Sequence, residues 1–215
     1  MKILIADHHA VVRRGLKQIL AEEFDKVVIG EAVNARELVE KIRKQKWCIV
    51  LLDTSLPGQS WMDILKKLKE IRPDMPVLVF STVPESRFAA RVLRAGAAGF
   101  VTKETSAEEL TKGVKKVLGG GKYVSPAFAQ KLAFDLHSDS SKPPHETLSD
   151  REYQVMCMIA SGLSPKEIAG ELGLSIKTIS TYRARILEKT RMRSNADLIR
   201  YAIENRLEAT RPNFA

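Results

Sequence analysis

The sequence predicts two domains of different class: an α/β domain built on a doubly wound, five-stranded parallel sheet, then an all-α domain of four helices. Three observations carry this reading. Up to Gly121, short apolar runs alternate with amphipathic helical periods, the pattern of strands covered by helices on both faces. From Leu148 onward the apolar positions fall at helical spacing. Between the two, "HSDSSKPPHET" (137–147) has no periodicity and reads as a linker. The domains are therefore placed at 1–121 and 148–208, with 122–147 a linker carrying a short helix around Pro126–Leu136. A chain of 215 residues is long enough for two small cores.

The apolar runs are ILIA (3–6), VVIG (27–30), IVLLD (49–53), VLVF (77–80) and GFVT (99–102). The intervening helices show one apolar face each: Val12, Leu16, Ile19 and Leu20; Ile64, Leu65, Leu68 and Ile71; Leu110, Val114, Val117 and Leu118. Asn34-x-x-Glu37 and Ser106-x-x-Glu109 read as capping boxes. Five β-α units in about 120 residues fit a flavodoxin-like fold. In the second domain Ser149-x-x-Glu152 caps a first helix, and Ser164-Pro165-Lys166-Glu167 caps a second that Gly173 stops. Ser175 caps a third, running to about Lys189, and Asn195–Glu204 gives a fourth.

Composition narrows the function classes. Cys48 and Cys157 lie far apart, fit no metal spacing and read as buried, reduced thiols. "MKILIADHH" is too short and too charged for a signal peptide, and no apolar run approaches the roughly 20 residues of a membrane span. A cytoplasmic protein without a membrane partner is expected. The formal net charge of +9 points to a polyanion. The segment 166–193 gathers Lys166, Lys177, Arg183, Arg185, Lys189, Arg191 and Arg193 against Glu167, Glu171 and Glu188, a local basic surface of the kind DNA requires.

In a parallel α/β sheet, ligands bind beyond the carboxyl ends of the strands. Asp7 ends the first run, Asp53 the third and Ser81 the fourth, and Lys103 follows the fifth. Two carboxylates, a hydroxyl and an ammonium on one edge form a phosphoryl-binding set: an acid to receive the group or hold a cation, a hydroxyl and a lysine to take its oxygens.

These residues carry a resemblance. "LLDTSLPG" (51–58), "VFST" (79–82) and "GFVTKE" (99–104) resemble the receiver domain of two-component response regulators over the whole first segment. The resemblance implies that Asp53 is the phosphoacceptor, Ser81 the switch hydroxyl, Phe100 the switch aromatic and Lys103 the phosphate-pairing lysine. It also implies Mg²⁺, held by acids after the first strand, here Asp7, by Asp53 and by the carbonyl of Ser55. The family's usual second acid is replaced by His8 in "ADHH", a poor partner for a hard ion. Weak Mg²⁺ binding and slow phosphorylation are expected, with a protonated His8 pairing with Asp53 in place of the cation. His9 is expected to point away along the chain. Trp61 stands where the family often has Gly, its ring either over the loop after Asp53 or in ordinary surface packing.

Residues 148–190 resemble the LuxR-type helix-turn-helix of the NarL/FixJ subfamily, and "KTISTYRARILEK" is closest to the GacA/UvrY branch. The helical wheel is independent of that likeness. At 100° per residue, Tyr182, Arg183 and Ile186 fall within about 60° of Ile179 and form the seam against neighbouring helices. Lys177, Ser180, Thr181, Ala184 and Glu188 lie opposite, with Arg185 at the edge. Recognition helices read bases with their N-terminal residues, so Ser180 and Thr181 are assigned to base edges; Lys177, Arg183 and Arg185 are assigned to phosphates, and Thr178 joins the DNA-facing set. The resemblance places a dimer contact on the last helix, at Leu198, Ile199 and Ala202, although a core role fits the same residues.

The sequence thus reads as a DNA-binding transcription regulator. Its implied partners are double-stranded promoter DNA, a sensor histidine kinase and a second copy of the chain. Two rivals remain at this stage. In one, the receiver is a phosphate-independent dimerisation module, which His8 favours. In the other, Asp53 is the covalent nucleophile of a phosphatase. Haloacid-dehalogenase-type phosphatases carry a second acid two residues beyond the nucleophile, where this chain has Ser55.

Overall fold

A computed structural model describes residues 1–82, 85–135, 143–205 and 207. The expected linker stretch at 136–142 and the expected end of the second domain at residue 208 lie outside the described residues. The chain forms two compact units, Met1–Phe134 and Asp135–Ala215.

The first unit alternates strand and helix: β1 Lys2–Ala6, α1 Ala10–Glu23, β2 Val28–Ala32, α2 Ala35–Lys44, β3 Ile49–Leu52, α3 Trp61–Ile71, β4 Val77–Ser81, α4 Glu85–Arg94, β5 Gly99–Thr102, α5 Ala107–Leu118 and α6 Pro126–Asp135. All strand pairs are parallel, in the order β2-β1-β3-β4-β5. The order reverses at β1 and β3, so this neighbouring pair forms the switch point where such sheets bind ligands. Residues of β1, β3 and β4 alternate between the two helix layers, and Ile3, Ile5, Ile49, Leu51 and Leu78 pack with Leu16, Leu20, Leu110, Val114 and Val117 in one core.

Three local expectations are corrected. The second strand is Val28–Ala32 rather than 27–30. Its charged Glu31 is tolerated because Arg13 and Lys17 from α1 both hold the carboxylate at 2.8 Å. The caps of α2 and α5 are half boxes. Asn34 and Ser106 accept from the Glu37 and Glu109 backbones, but Glu37 turns to the Val33 N–H and Glu109 to the Tyr123 hydroxyl. Cys48 is exposed, just before β3 and beside Lys2 of β1, while Cys157 is buried.

The expected end of the first domain, Gly121, falls inside the first unit. The Tyr123 backbone pairs along β5, and its ring joins the core. A Cβ on Gly99 would lie 2.5 Å from the Tyr123 carbonyl oxygen, so this close approach requires glycine.

The second unit is helical: a 3₁₀ turn at Pro144–Thr147, then α7 Asp150–Ala160, α8 Pro165–Leu172, α9 Ile176–Thr190 and α10 Asn195–Glu204. Both expected boxes, Ser149/Glu152 and Ser164/Glu167, are complete, and Gly173 closes α8 in the left-handed region at φ 63°. Glu152 is buried and also accepts from the Lys189 ammonium at 2.7 Å, which ties the start of α7 to the end of α9. Among the described residues, no helix is long and apolar enough to cross a membrane.

Candidate phosphoacceptor pocket and DNA-facing helix

Sheet hydrogen bonds continue past the strand ends and fix the backbones of the pocket. The Asp7 N–H donates to Ala32 O at 3.1 Å, the Asp53 N–H to Ala6 O at 2.9 Å, and the Lys103 N–H to Ser81 O at 2.8 Å. The side chains therefore converge. Asp7, Asp53 and Ser81 are 1%, 2% and 0% exposed. The Lys103 ammonium reaches Asp7 Oδ2 at 2.6 Å and Asp53 Oδ2 at 3.1 Å. All four strand-end residues singled out in the sequence meet in one place.

Sequence reasoning missed the hydroxyls around them. Ser55 Oγ donates to Asp53 Oδ2 at 2.6 Å, and its N–H faces Asp53 Oδ1 at 3.2 Å. Thr54 and Ser81 share a hydrogen bond of 2.6 Å. Thr54 and Ser55 directly follow Asp53, and that adjacency was the available signal. The Arg13 guanidinium was also missed. It donates to the carbonyls of Asp7 and His8 at 2.9 and 3.1 Å and so clamps the turn carrying the imidazoles.

His8 Nδ1 lies 3.5 Å from Asp53 Oδ2. His9 does not point away. Its N–H donates to Asp7 Oδ1 at 2.8 Å and its Nδ1 lies 3.1 Å from the same oxygen, because the short turn before α1 folds both rings back over the strand end. The two rings are 3.6 Å apart. The donor set is thus two carboxylates and two imidazoles, with ligand atoms all within 4.8 Å of one another. Asp7 Oδ2 is buried without a well-aligned hydrogen bond, since Lys103 approaches it at ion-pair distance but off hydrogen-bond angles. This set accommodates a divalent cation, but it does not match the all-oxygen shell that Mg²⁺ demands.

Phe100 is fully buried on β5. Trp61 is not at the surface. It is 7% exposed and packs edge-on against Phe88 of α4 at 4.8 Å, and Phe88 in turn lies 6.1 Å from Phe100.

On α9, Ile179 and Ile186 are buried and Tyr182 and Arg183 half-buried, whereas Lys177, Ser180, Thr181, Ala184, Arg185 and Glu188 are exposed. The Arg183 Nε donates to Asn195 Oδ1 at 2.6 Å, which engages it with the start of α10. The Thr178 hydroxyl shares a 2.8 Å bond with the capping Ser175, so its first duty is at the cap. Ser180 and Thr181 donate to the carbonyls one turn back at 3.0 Å, leaving their oxygens outward as acceptors. On α10, Leu198 and Ala202 are 0% exposed, because their shared face packs on α7; the dimer contact read onto them is corrected to a core role. Ile199 is half-buried, and Ile203 is 53% exposed.

A doubly wound sheet with this pocket at its switch point, joined to a helical unit with an exposed basic helix, defines a response regulator with a DNA-binding output domain. Residues 3–115 match the response regulator receiver domain, residues 146–202 match the bacterial regulatory proteins of the luxR family, and the chain belongs to the response regulators. It is 35% identical over 205 residues to the response regulator GacA of Pseudomonas protegens, covering 95% of this chain and 96% of that one. It is 30% identical over 208 residues to the response regulator UvrY of Escherichia coli, covering 96% and 95%. The structure of RcsB from Salmonella enterica serovar Typhimurium, bound to promoter rprA in the presence of the phosphomimetic BeF₃⁻, superposes with a TM-score of 0.73 at 25% identity, covering 94% and 97%. Neither rival reading is favoured. The relatives are regulators rather than phosphatases, and His8 has left the carboxylate, hydroxyl and ammonium constellation assembled.

Proposed function

We propose that this response regulator is switched by phosphorylation of Asp53 and acts as a dimer on promoter DNA in the cytoplasm, with a sensor histidine kinase as phosphoryl donor. The supporting observation is the convergence of Asp53 with Lys103 and the Thr54–Ser81 hydroxyl pair. An Asp53 carboxylate oxygen attacks the donor phosphorus; the bond from phosphorus to the donor imidazole breaks, that imidazole gains a proton, and an acyl phosphate forms on Asp53. The Lys103 ammonium compensates the added charge, and the Ser81 hydroxyl takes a phosphoryl oxygen in place of Thr54. Before transfer, the Ser55 hydroxyl has to leave Asp53 Oδ2. Phe100 is the aromatic that responds.

A receiver that runs past Gly121 to take in Tyr123, then a linker to 147 and a DNA-binding domain from 148, is part of this proposal. On DNA, Lys177 and Arg185 meet phosphates, with Arg183 bracing the helix against α10. Ser180 and Thr181 face base edges, where their outward oxygens accept from amino groups, and Thr178 holds the helix start. The half-exposed Ile199 and the exposed Ile203 supply the dimer face above the Leu198–Ala202 core. Incubation with acetyl phosphate followed by intact mass tests the switch. One added phosphoryl group that is lost in Asp53→Asn is expected; labelling that persists in Asp53→Asn refutes the assignment.

A further inference from the structure

The turn "ADHH" is where this chain parts from the pattern it otherwise follows. Asp7 and Asp53 are fixed by the sheet. His8 and His9 are folded back over them, with His8 Nδ1 3.5 Å from Asp53 Oδ2 and His9 Nδ1 3.1 Å from Asp7 Oδ1. Tetrahedral bonds of about 2.0–2.1 Å place neighbouring ligand atoms about 3.3–3.4 Å apart. The two imidazole–carboxylate separations bracket that spacing, and all four residues offer ligand atoms within 4.8 Å of one another. The buried Asp7 Oδ2 is held at 2.6 Å by the Lys103 ammonium and by no aligned hydrogen bond, so a cation there replaces a cationic partner.

The ligand chemistry selects the ion. Mg²⁺ requires oxygens in near-octahedral array, whereas imidazole with carboxylate suits ions late in the first transition row. We infer that the cation site of this receiver is built for a late first-row divalent ion of the Zn²⁺ type, held by Asp7, His8, His9 and Asp53. Each imidazole replaces an oxygen or water ligand that a hard ion would keep, so the selectivity lies in the two histidines. The Arg13 clamp on the carbonyls of Asp7 and His8 holds the turn that presents them, and therefore acts as a positioning residue. The Lys103 ammonium lies on the Oδ2 atoms of both acids and gives way at Asp7 as the ion enters.

The inference rests on reading this pocket as the phosphoacceptor site, and binding is measured apart from labelling so that either can fail alone. Zn²⁺ and Mg²⁺ are titrated separately into the full-length chain by calorimetry, in a Cys48→Ser background that removes the exposed thiol, with folding checked by circular dichroism. One Zn²⁺ per chain is expected, bound at least about 100-fold more tightly than Mg²⁺. His9→Gln should weaken Zn²⁺ by about tenfold or more and leave Mg²⁺ unchanged. His8→Asp should weaken Zn²⁺ and strengthen Mg²⁺, each by about tenfold or more. Bound Co²⁺ should give the intense visible absorption of a four-coordinate ion in the parent and lose it in His9→Gln. Zn²⁺ affinity that is indifferent to both histidines, or a His8→Asp chain with no gain in Mg²⁺ affinity, overturns the inference. Absence of acetyl-phosphate labelling overturns only the phosphoacceptor reading.

Discussion

Removing the Lys103 ammonium should destabilise the receiver more than any surface lysine could. Its side chain is 10% exposed and lies between two carboxylates that are each 2% exposed, at 2.6 and 3.1 Å. Breaking a buried pair by deleting one partner costs about 3–5 kcal/mol, because the remaining charge stays desolvated. Here two carboxylates would be left facing each other. Water entering the vacated space offsets part of that cost. The expectation for Lys103→Ala is therefore about 3 kcal/mol. Asp53→Asn removes one of two like charges competing for one ammonium, so it should leave stability unchanged or raise it. Both tryptophans, Trp47 and Trp61, lie buried in the first unit, so intrinsic tryptophan fluorescence in urea reports that unit alone. A loss below about 1 kcal/mol for Lys103→Ala, or a larger loss for Asp53→Asn than for Lys103→Ala, would refute the electrostatic argument.

Four further substitutions have stated outcomes. Burial pushes the Glu152 carboxyl up, but the Lys189 ammonium and the Ser149 N–H and hydroxyl outweigh it and hold the group below the usual carboxylate range. A lowered native pKa contributes stability above the unfolded value and loses it as pH falls through the native one. Acid unfolding of the helical unit, followed by circular dichroism, should therefore become less steep below about pH 4 in Glu152→Gln, with Glu167 and Asp197, also held low, supplying the remainder. Gly99→Ala forces a Cβ to within 2.5 Å of the Tyr123 carbonyl and should cost about 2 kcal/mol in the same fluorescence assay. Lys177→Ala should weaken binding to specific and random DNA alike and reduce the salt slope by about one. Thr181→Ala should instead relax discrimination at one base position by about 1–3 kcal/mol, read by competition between operator variants.

Much of the architecture was legible because periodicity and capping chemistry are local. The strand ends were especially readable: a parallel sheet brings its carboxyl ends to one edge, so Asp7, Asp53, Ser81 and Lys103 had to meet if the runs were strands. What failed depended on partners far away in sequence. Glu31 belongs to a strand only because Arg13 and Lys17 on the preceding helix neutralise it. Glu109 deserts its cap because Tyr123 approaches it. Tyr123 reads as linker until its backbone is seen along β5. Leu198 and Ala202 occupy a helical face that a dimer or a core would use equally, and only the packing of α7 decides. His9 turns back to Asp7 because β1 ends at Ala6 and the chain bends before α1 begins at Ala10.

The rings of Trp61, Phe88 and Phe100 stand in one edge-on train. Interiors packed to crystal-like density do not deform gradually, so a fully buried ring leaves its seat only when its neighbours yield together. Phe100 stands on the strand preceding Lys103, Phe88 on the helix after Ser81, and Trp61 at the start of the helix that follows the acceptor loop. If Phe100 turns as the proposed switch requires, one edge of α4 and the first turn of α3 would have to yield with it. The indole at the end of this train is an emitter, so the receiver carries its own optical gauge of that event. A step in Trp61 emission would mark the moment at which chemistry on a carboxylate becomes a displacement on the protein's outer wall.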